Sequence, residues 1–72
     1  MSEDRKQELE RMIEVVVRAI PKERAAQDLY RATAASASMD MTRKLFEKLA
    51  DDERMHEEKL RAVLSLLRKE MG

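Results

Sequence analysis

The run Glu53-Arg54-Met55-His56 places a carboxylate and an imidazole three residues apart. Residues at this spacing lie on one face of an α-helix, and both side chains are common metal ligands. The motif alone is weak, because Glu is frequent in this chain and His56 is its only histidine. His56 can equally be an ordinary core histidine, and Glu53 an ordinary solvated carboxylate.

Glu23 stands at the matching position on the other side of a predicted turn. The midpoint of positions 23 and 53 is position 38, within the Ser-, Ala- and Met-containing stretch 36–40. Both helices of an antiparallel hairpin rise about 1.5 Å per residue, so residues equidistant from the turn lie at nearly the same height. Glu23, Glu53 and His56 are therefore predicted to converge as a candidate metal site.

Two apolar stripes with steps of three or four residues predict the helices that carry these side chains. The first stripe comprises Leu9, Ile13, Val16, Ile20, Glu23, Gln27, Tyr30 and Ala34. The second comprises Thr42, Leu45, Phe46, Leu49, Glu53, His56, Leu60, Val63, Leu64, Leu67 and Met71. With one Gly and one Pro, the composition predicts an all-α fold, an antiparallel helical hairpin.

Pro21 lies inside the first stripe, where a proline removes one backbone hydrogen bond and clashes with the preceding turn. The stripe keeps its phase across it, which favours a kinked helix over a break, although a break stays open. We predict a single domain over residues 1–72. It comprises a helical extension at 1–20, a first ligand helix at 21–37 and a second at 39–70.

Composition excludes several classes of site. The absence of cysteine rules out disulfides, zinc–thiolate sites and iron–sulfur clusters in this chain. Fifteen basic and fifteen acidic residues balance, which predicts no nucleic-acid partner. No apolar run reaches the ~20 residues of a membrane span, and no secretory leader is recognisable, so a cytoplasmic protein is expected.

One hairpin cannot bury its apolar face, so we predict a homodimer or larger homo-oligomer that forms a four-helix bundle. A twofold axis would double the candidate site to four carboxylates and two imidazoles. The four negative charges of the carboxylates would balance two divalent ions. The alternatives are a helical interaction module without metal and one that binds metal only structurally.

Neighbouring polar residues have two interpretations each. Tyr30 and Gln27 lie on the Glu23 stripe and could hydrogen-bond a ligand carboxylate. Tyr30 can equally be a core tyrosine, and Gln27 a residue at the rim. Asp52 and Glu57 border the second stripe and are expected to be solvated.

The pattern of Glu, then Tyr seven residues later, then Phe-x-x-Leu-Ala-x-x-Glu-x-x-His resembles the ferritin-like superfamily, and its rubrerythrin-like branch in particular. The residues that carry this resemblance are Ala19, Ile20, Glu23, Ala26, Leu29, Tyr30, Leu45, Phe46, Glu47, Lys48, Leu49, Ala50, Asp51, Asp52, Glu53, Arg54, Met55, His56 and Leu60. With only two helices, the chain is also similar to encapsulated ferritins, whose protomers pair around a ferroxidase centre.

The resemblance implies a di-iron centre shared between two subunits, with Glu23, Glu53 and His56 as iron ligands and Tyr30 nearby. It implies Fe(II) oxidation by dioxygen or peroxide, with Glu53 bridging the ions and Glu23 and His56 as terminal ligands. Mn, Zn or Ca could substitute for iron at oxygen-rich ligands. A protein nanocompartment is an alternative host. Pro21 departs from the family pattern, which usually continues a helix there.

Overall fold

The fold is an antiparallel hairpin of two long helices, as predicted. A computed structural model describes residues 2–72, with helix α1 at Glu3–Ser36 and helix α2 at Asp40–Met71. Residues 37–39 join them, and the part of the chain that the structure describes contains no strand. Helix α1 ends one residue before the predicted end at 37, and α2 begins and ends one residue after the predicted bounds 39–70, whereas the predicted start at 21 is not a helix boundary. Met1, the first residue of the predicted extension, lies outside the described residues.

Helix α1 begins with a side-chain cap and acidic residues. The Ser2 hydroxyl accepts a hydrogen bond from the Arg5 backbone N–H at 3.2 Å, and Glu3 and Asp4 occupy the first turn. Negative charge there is stabilised by the helix dipole. Helix α2 ends with Arg68 and Lys69 in its last turn, where positive charge is favoured.

Helix α1 runs unbroken through Pro21, so the alternative of two separate helices is wrong. Pro21 is exposed. Its ring therefore lies on the solvent side, and the missing N–H leaves only the carbonyl of the preceding turn without its helical partner. Packing on both sides of Pro21 holds α1 against α2, with Ile20 buried before it and Gln27 after it.

Buried residues follow one line along each helix. On α1 they are Leu9, Val16, Ile20, Gln27 and Ala34, and on α2 they are Ala50, Glu57 and Leu64. The apolar core is at the end away from the turn, where Val16, Ile20 and Leu64 pack together with Ile13, Leu60 and Leu67 around them. The hairpin measures 56 × 14 × 12 Å, so it is a rod two helices wide.

The second stripe is wider than the surface that α1 covers. Its members Leu45, His56 and Val63 are exposed, because a single neighbouring helix contacts only one side of the stripe. The expectation that Glu57 is solvated is wrong, since its residue is only 8% exposed and lies on the buried line between Ala50 and Leu64.

The uncovered part of the stripe continues as an apolar groove between the helices. Its apolar lining comprises Met12, Val15, Val16, Val63 and Leu67. We call this lining the open apolar face. Within residues 2–72, neither helix has a stretch apolar enough to cross a membrane.

Candidate metal centre

Glu23, Glu53 and His56 come together between the two helices. Each offers a ligand atom, and these atoms lie within 4.8 Å of one another. The Nδ1 atom of His56 is 3.6 Å from Glu23 Oε2 and 3.6 Å from Glu53 Oε1. The convergence follows from helix geometry, because Glu53 and His56 are three residues apart on α2 and Glu23 lies across the short connection.

The spacing of these atoms suits a shared cation. Oxygen and nitrogen ligands bind such ions at about 2.1 Å, which separates two ligands of one ion by roughly 3–3.5 Å. The 3.6 Å separations are close to this value and longer than a good hydrogen bond. Small side-chain rotations would suffice for the three groups to reach one ion.

The electrostatics of the site disfavour two free carboxylates. The main cause that raises the pKa of Glu23 is the neighbouring Glu53 carboxylate, which can accept a hydrogen bond from the protonated form of Glu23. Burial and the charge of Glu53 raise this pKa further, and His56 acts in the opposite direction. Like charges held together resist ionisation unless a cation neutralises them. A divalent ion would relieve this repulsion.

One carboxylate oxygen of Glu23 is an independent sign of an incomplete site. Among the described residues, Oε2 of Glu23 is a buried side-chain atom that has no hydrogen-bond partner. Buried polar atoms are almost always satisfied, so an orphan atom calls for a missing partner such as an ion. The donor set of two carboxylates and one imidazole fits iron, manganese or zinc.

The site is open on one side. The side chain of His56 is 53% exposed, whereas those of Glu23 and Glu53 are 25% and 23% exposed. A shallow depression beside His56 is lined by Leu49, Asp52, Glu53, Met55, His56 and Lys59. Three protein ligands with an open side leave room for further ligands on any bound ion.

Tyr30 lies toward the turn and packs against an aromatic neighbour. Its ring centroid is 6.1 Å from that of Phe46, with the planes tilted by 39°. This contact fits the interpretation of Tyr30 as a core tyrosine, and a hydrogen bond from its hydroxyl to a ligand carboxylate stays a prediction.

Gln27 is more deeply buried than expected of a rim residue. It is 1% exposed, and its Nε2 donates a hydrogen bond of 2.6 Å to Glu57 Oε1. The other oxygen of Glu57 accepts a bond of 2.9 Å from Arg61 Nε. These bonds, Arg61 first, lower the pKa of Glu57 and keep it charged. Glu57 stands seven residues from both Ala50 and Leu64, but the sequence does not single out this line, because the rotation of α2 against α1 decides which residues α1 covers.

Comparison with known proteins gave one result. Residues 14–72 match the family model described as Rubrerythrin, a stretch that contains Glu23, Glu53 and His56. A search of curated proteins returned no match. A search of solved structures likewise returned none. Because the family model matches most of the two-helix hairpin, the chain belongs to the rubrerythrin family of the ferritin-like superfamily.

Proposed function

We propose that this chain supplies half of a di-iron carboxylate centre and that two copies together oxidise Fe(II) with dioxygen or peroxide. The observation that carries the proposal is the convergence of Glu23, Glu53 and His56 beside an apolar face that the hairpin leaves uncovered. Membership of the rubrerythrin family supports iron as the metal.

The second copy is argued from the open apolar face. Val15 and Val63, which line it, are 67% and 43% exposed. Val63 stands seven residues after His56, so the groove and the candidate site share one side of α2. Burying this side against a second hairpin would cover both together, with about 25 cal/mol gained per Å² of apolar surface removed from water.

The charges of the candidate ligands also support a site built from two chains. Two copies would contribute four carboxylates and two imidazoles, and four negative charges balance two divalent ions. Ferritin-like di-iron bundles use this donor set, with one Glu from each of two helices and Glu-x-x-His from each of the other two. The raised pKa of Glu23 is the sign of a carboxylate that needs such a counter-charge.

Each residue has a distinct role in the proposal. Glu23, Glu53 and His56 would hold the two ions, with Glu53 as the ligand that both ions share and Glu23 and His56 as terminal ligands. Bound ferrous ions supply electrons to the oxidant. Because the pKa of Glu23 is raised in the metal-free chain, a bound cation would favour the ionised form of this carboxylate, and metal binding would release protons. The neutral imidazole of His56 binds through a ring nitrogen.

Oxygen-rich ligands also accept Mn, Zn or Ca. Iron storage and iron detoxification both follow from the same reaction. The cytoplasm is the proposed location, and the similarity to encapsulated ferritins makes a protein shell a candidate host.

A second function shares the open apolar face. A helical oligomerisation module would use the same exposed valines to pair with another copy. In this alternative the three polar residues bind metal only structurally or not at all.

The test measures metal content, mass and iron oxidation in one series. Protein purified without chelator should contain about one iron per chain and have the mass of a dimer or larger assembly. Oxidation of added Fe(II), followed by absorbance after admission of oxygen, should far exceed the rate in buffer. Glu53→Ala should abolish both metal binding and this oxidation.

Glu58→Ala is the matched control, since Glu58 is an exposed glutamate on the same helix whose carboxylate pairs with Arg54. It should keep both properties. If the metal-free wild-type protein takes up no iron but keeps its oligomeric mass, the ferroxidase proposal is wrong and the oligomerisation module is supported. Metal bound without Fe(II) oxidation would identify a structural site.

A further inference from the structure

We propose that the buried pair Gln27 and Glu57 positions the ligand carboxylates Glu23 and Glu53, so that metal affinity depends on a hydrogen bond outside the donor set. The inference rests on the proposed function, because it requires that the three candidate ligands bind metal.

Gln27 and Glu57 form a polar contact within an otherwise apolar helix interface. Gln27 is 1% and Glu57 8% exposed, and both lie on the lines of residues that otherwise bury Ile20, Ala34, Ala50 and Leu64. Their 2.6 Å hydrogen bond joins α1 to α2. Buried polar groups of this kind give little net stability compared with apolar replacements, but they can fix one packing arrangement.

Sequence spacing ties the pair to the ligands. Gln27 follows Glu23 by four residues, and Glu57 follows Glu53 by four residues. Four residues are about one helical turn, so each member of the pair lies over the ligand on its own helix. Any rotation of a helix about its axis that moved Gln27 or Glu57 would move the neighbouring ligand as well.

The antiparallel arrangement of the helices places the Gln27–Glu57 bond close to the ligand carboxylates. The helices are antiparallel, so one turn forward leads toward the connection on α1 and away from it on α2. The Gln27–Glu57 bond therefore crosses the line between Glu23 and Glu53. Sliding or rotation of one helix against the other would lengthen or break the Gln27–Glu57 bond at the level of the ligands.

Arg61 completes the restraint from the solvent side. Its Nε donates to Glu57 Oε2 at 2.9 Å, while its own side chain is 62% exposed. The two oxygens of Glu57 are thus each bound by one partner, one on α1 and one on α2. This fixes the carboxylate plane and keeps Glu57 out of the candidate metal site.

The experiment separates positioning from stability. The double variant Gln27→Met with Glu57→Met keeps side-chain length and removes the polar bond. Titration with Co(II), whose visible absorption reports its ligand set, should show binding weakened about tenfold or more and an altered spectrum. The thermal midpoint of the metal-free variant should stay unchanged or rise, because an apolar pair replaces a buried polar one.

Two variants serve as controls. Glu57→Gln retains a carbonyl oxygen that can accept from Gln27, so it should restore Co(II) affinity to within about threefold of wild type. Glu58→Met removes a carboxylate that Arg54 binds at 2.7 Å in the same i, i+4 arrangement but on the exposed surface. Its affinity and spectrum should match those of the wild type.

Co(II) affinity and spectrum equal to wild type in a folded double variant would overturn this inference alone. If the double variant loses its helical signal, Gln27→Met decides the question, and wild-type affinity in it would count against the proposal. A wild-type protein that binds no Co(II) would overturn the proposed function together with this inference.

Discussion

Glu23 combines a raised pKa with a buried oxygen that has no hydrogen-bond partner among the described residues. Both observations have the same cause: the Glu23 carboxyl lies against Glu53, and few positive or hydrogen-bond-donating groups surround it. In the metal-free protein this residue is expected to oppose folding at neutral pH rather than to support it.

The first prediction concerns Glu23→Gln in the presence of a chelator. The folded chain holds the Glu23 proton more tightly than the unfolded chain, so folding stability contributed by this group falls as pH rises through the raised pKa. The neutral side-chain amide that this substitution introduces can donate a hydrogen bond to Glu53 at every pH. Urea unfolding should therefore show that Glu23→Gln stabilises the metal-free protein at about pH 7 and changes it little at about pH 4.

Glu58→Gln is the comparison for this effect, because Glu58 is an exposed residue bound by Arg54. It should be neutral or slightly destabilising at pH 7. If Glu23→Gln and Glu58→Gln change the free energy of unfolding equally at pH 7, the proximity of Glu23 to Glu53 does not destabilise the metal-free protein. Loss of metal binding should accompany the gain in stability for Glu23→Gln only.

At the level of elements, sequence predicted both helices, their antiparallel arrangement and the convergence of Glu23, Glu53 and His56. These follow from helical periodicity and a short connection, which leave little freedom. The burial of Glu57 was not predictable from the stripe, because α2 carries a stripe wider than one partner helix covers. Which part is covered depends on helix rotation, and periodicity does not determine that rotation.

Helix α1 contains an exposed proline whose cost can be measured. In Pro21→Ala a backbone N–H returns that can bond the carbonyl of Val17, and the helix regains a residue of high propensity. A more flexible unfolded chain offsets part of this gain. We expect urea unfolding to show stabilisation of about 1–2 kcal/mol.

The neighbouring variant Lys22→Ala tests whether alanine itself is responsible. Lys22 is also exposed on α1, and its replacement should change stability by less than about 0.5 kcal/mol. Co(II) affinity measured on Pro21→Ala adds a second readout. Weaker binding despite higher stability would mean that Pro21 also sets the position of Glu23.

At the level of the whole molecule, the open apolar face should govern self-association. Val15→Glu places a charge on the exposed lining of the groove. Burying that charge against a second copy would be unfavourable, so light scattering should show a shift toward the monomer at equal concentration. Iron content per chain should fall in parallel.

Val17→Glu provides the matched control. Val17 is 43% exposed and lies two residues from Val15, about 200° around the helix and away from the groove. It should leave mass and metal content unchanged. Dissociation by Val17→Glu and not by Val15→Glu would place the contact on the opposite side of the hairpin.

A rod of 56 × 14 × 12 Å has almost no depth, so none of its atoms lies far from solvent. A dry, low-dielectric interior around Glu23, Glu53 and His56 would then arise through association of two chains and not through folding of one. Metal affinity would depend on dilution as a result. A sample at nanomolar chain concentration should release its ions to a weak chelator far sooner than the same protein at high concentration.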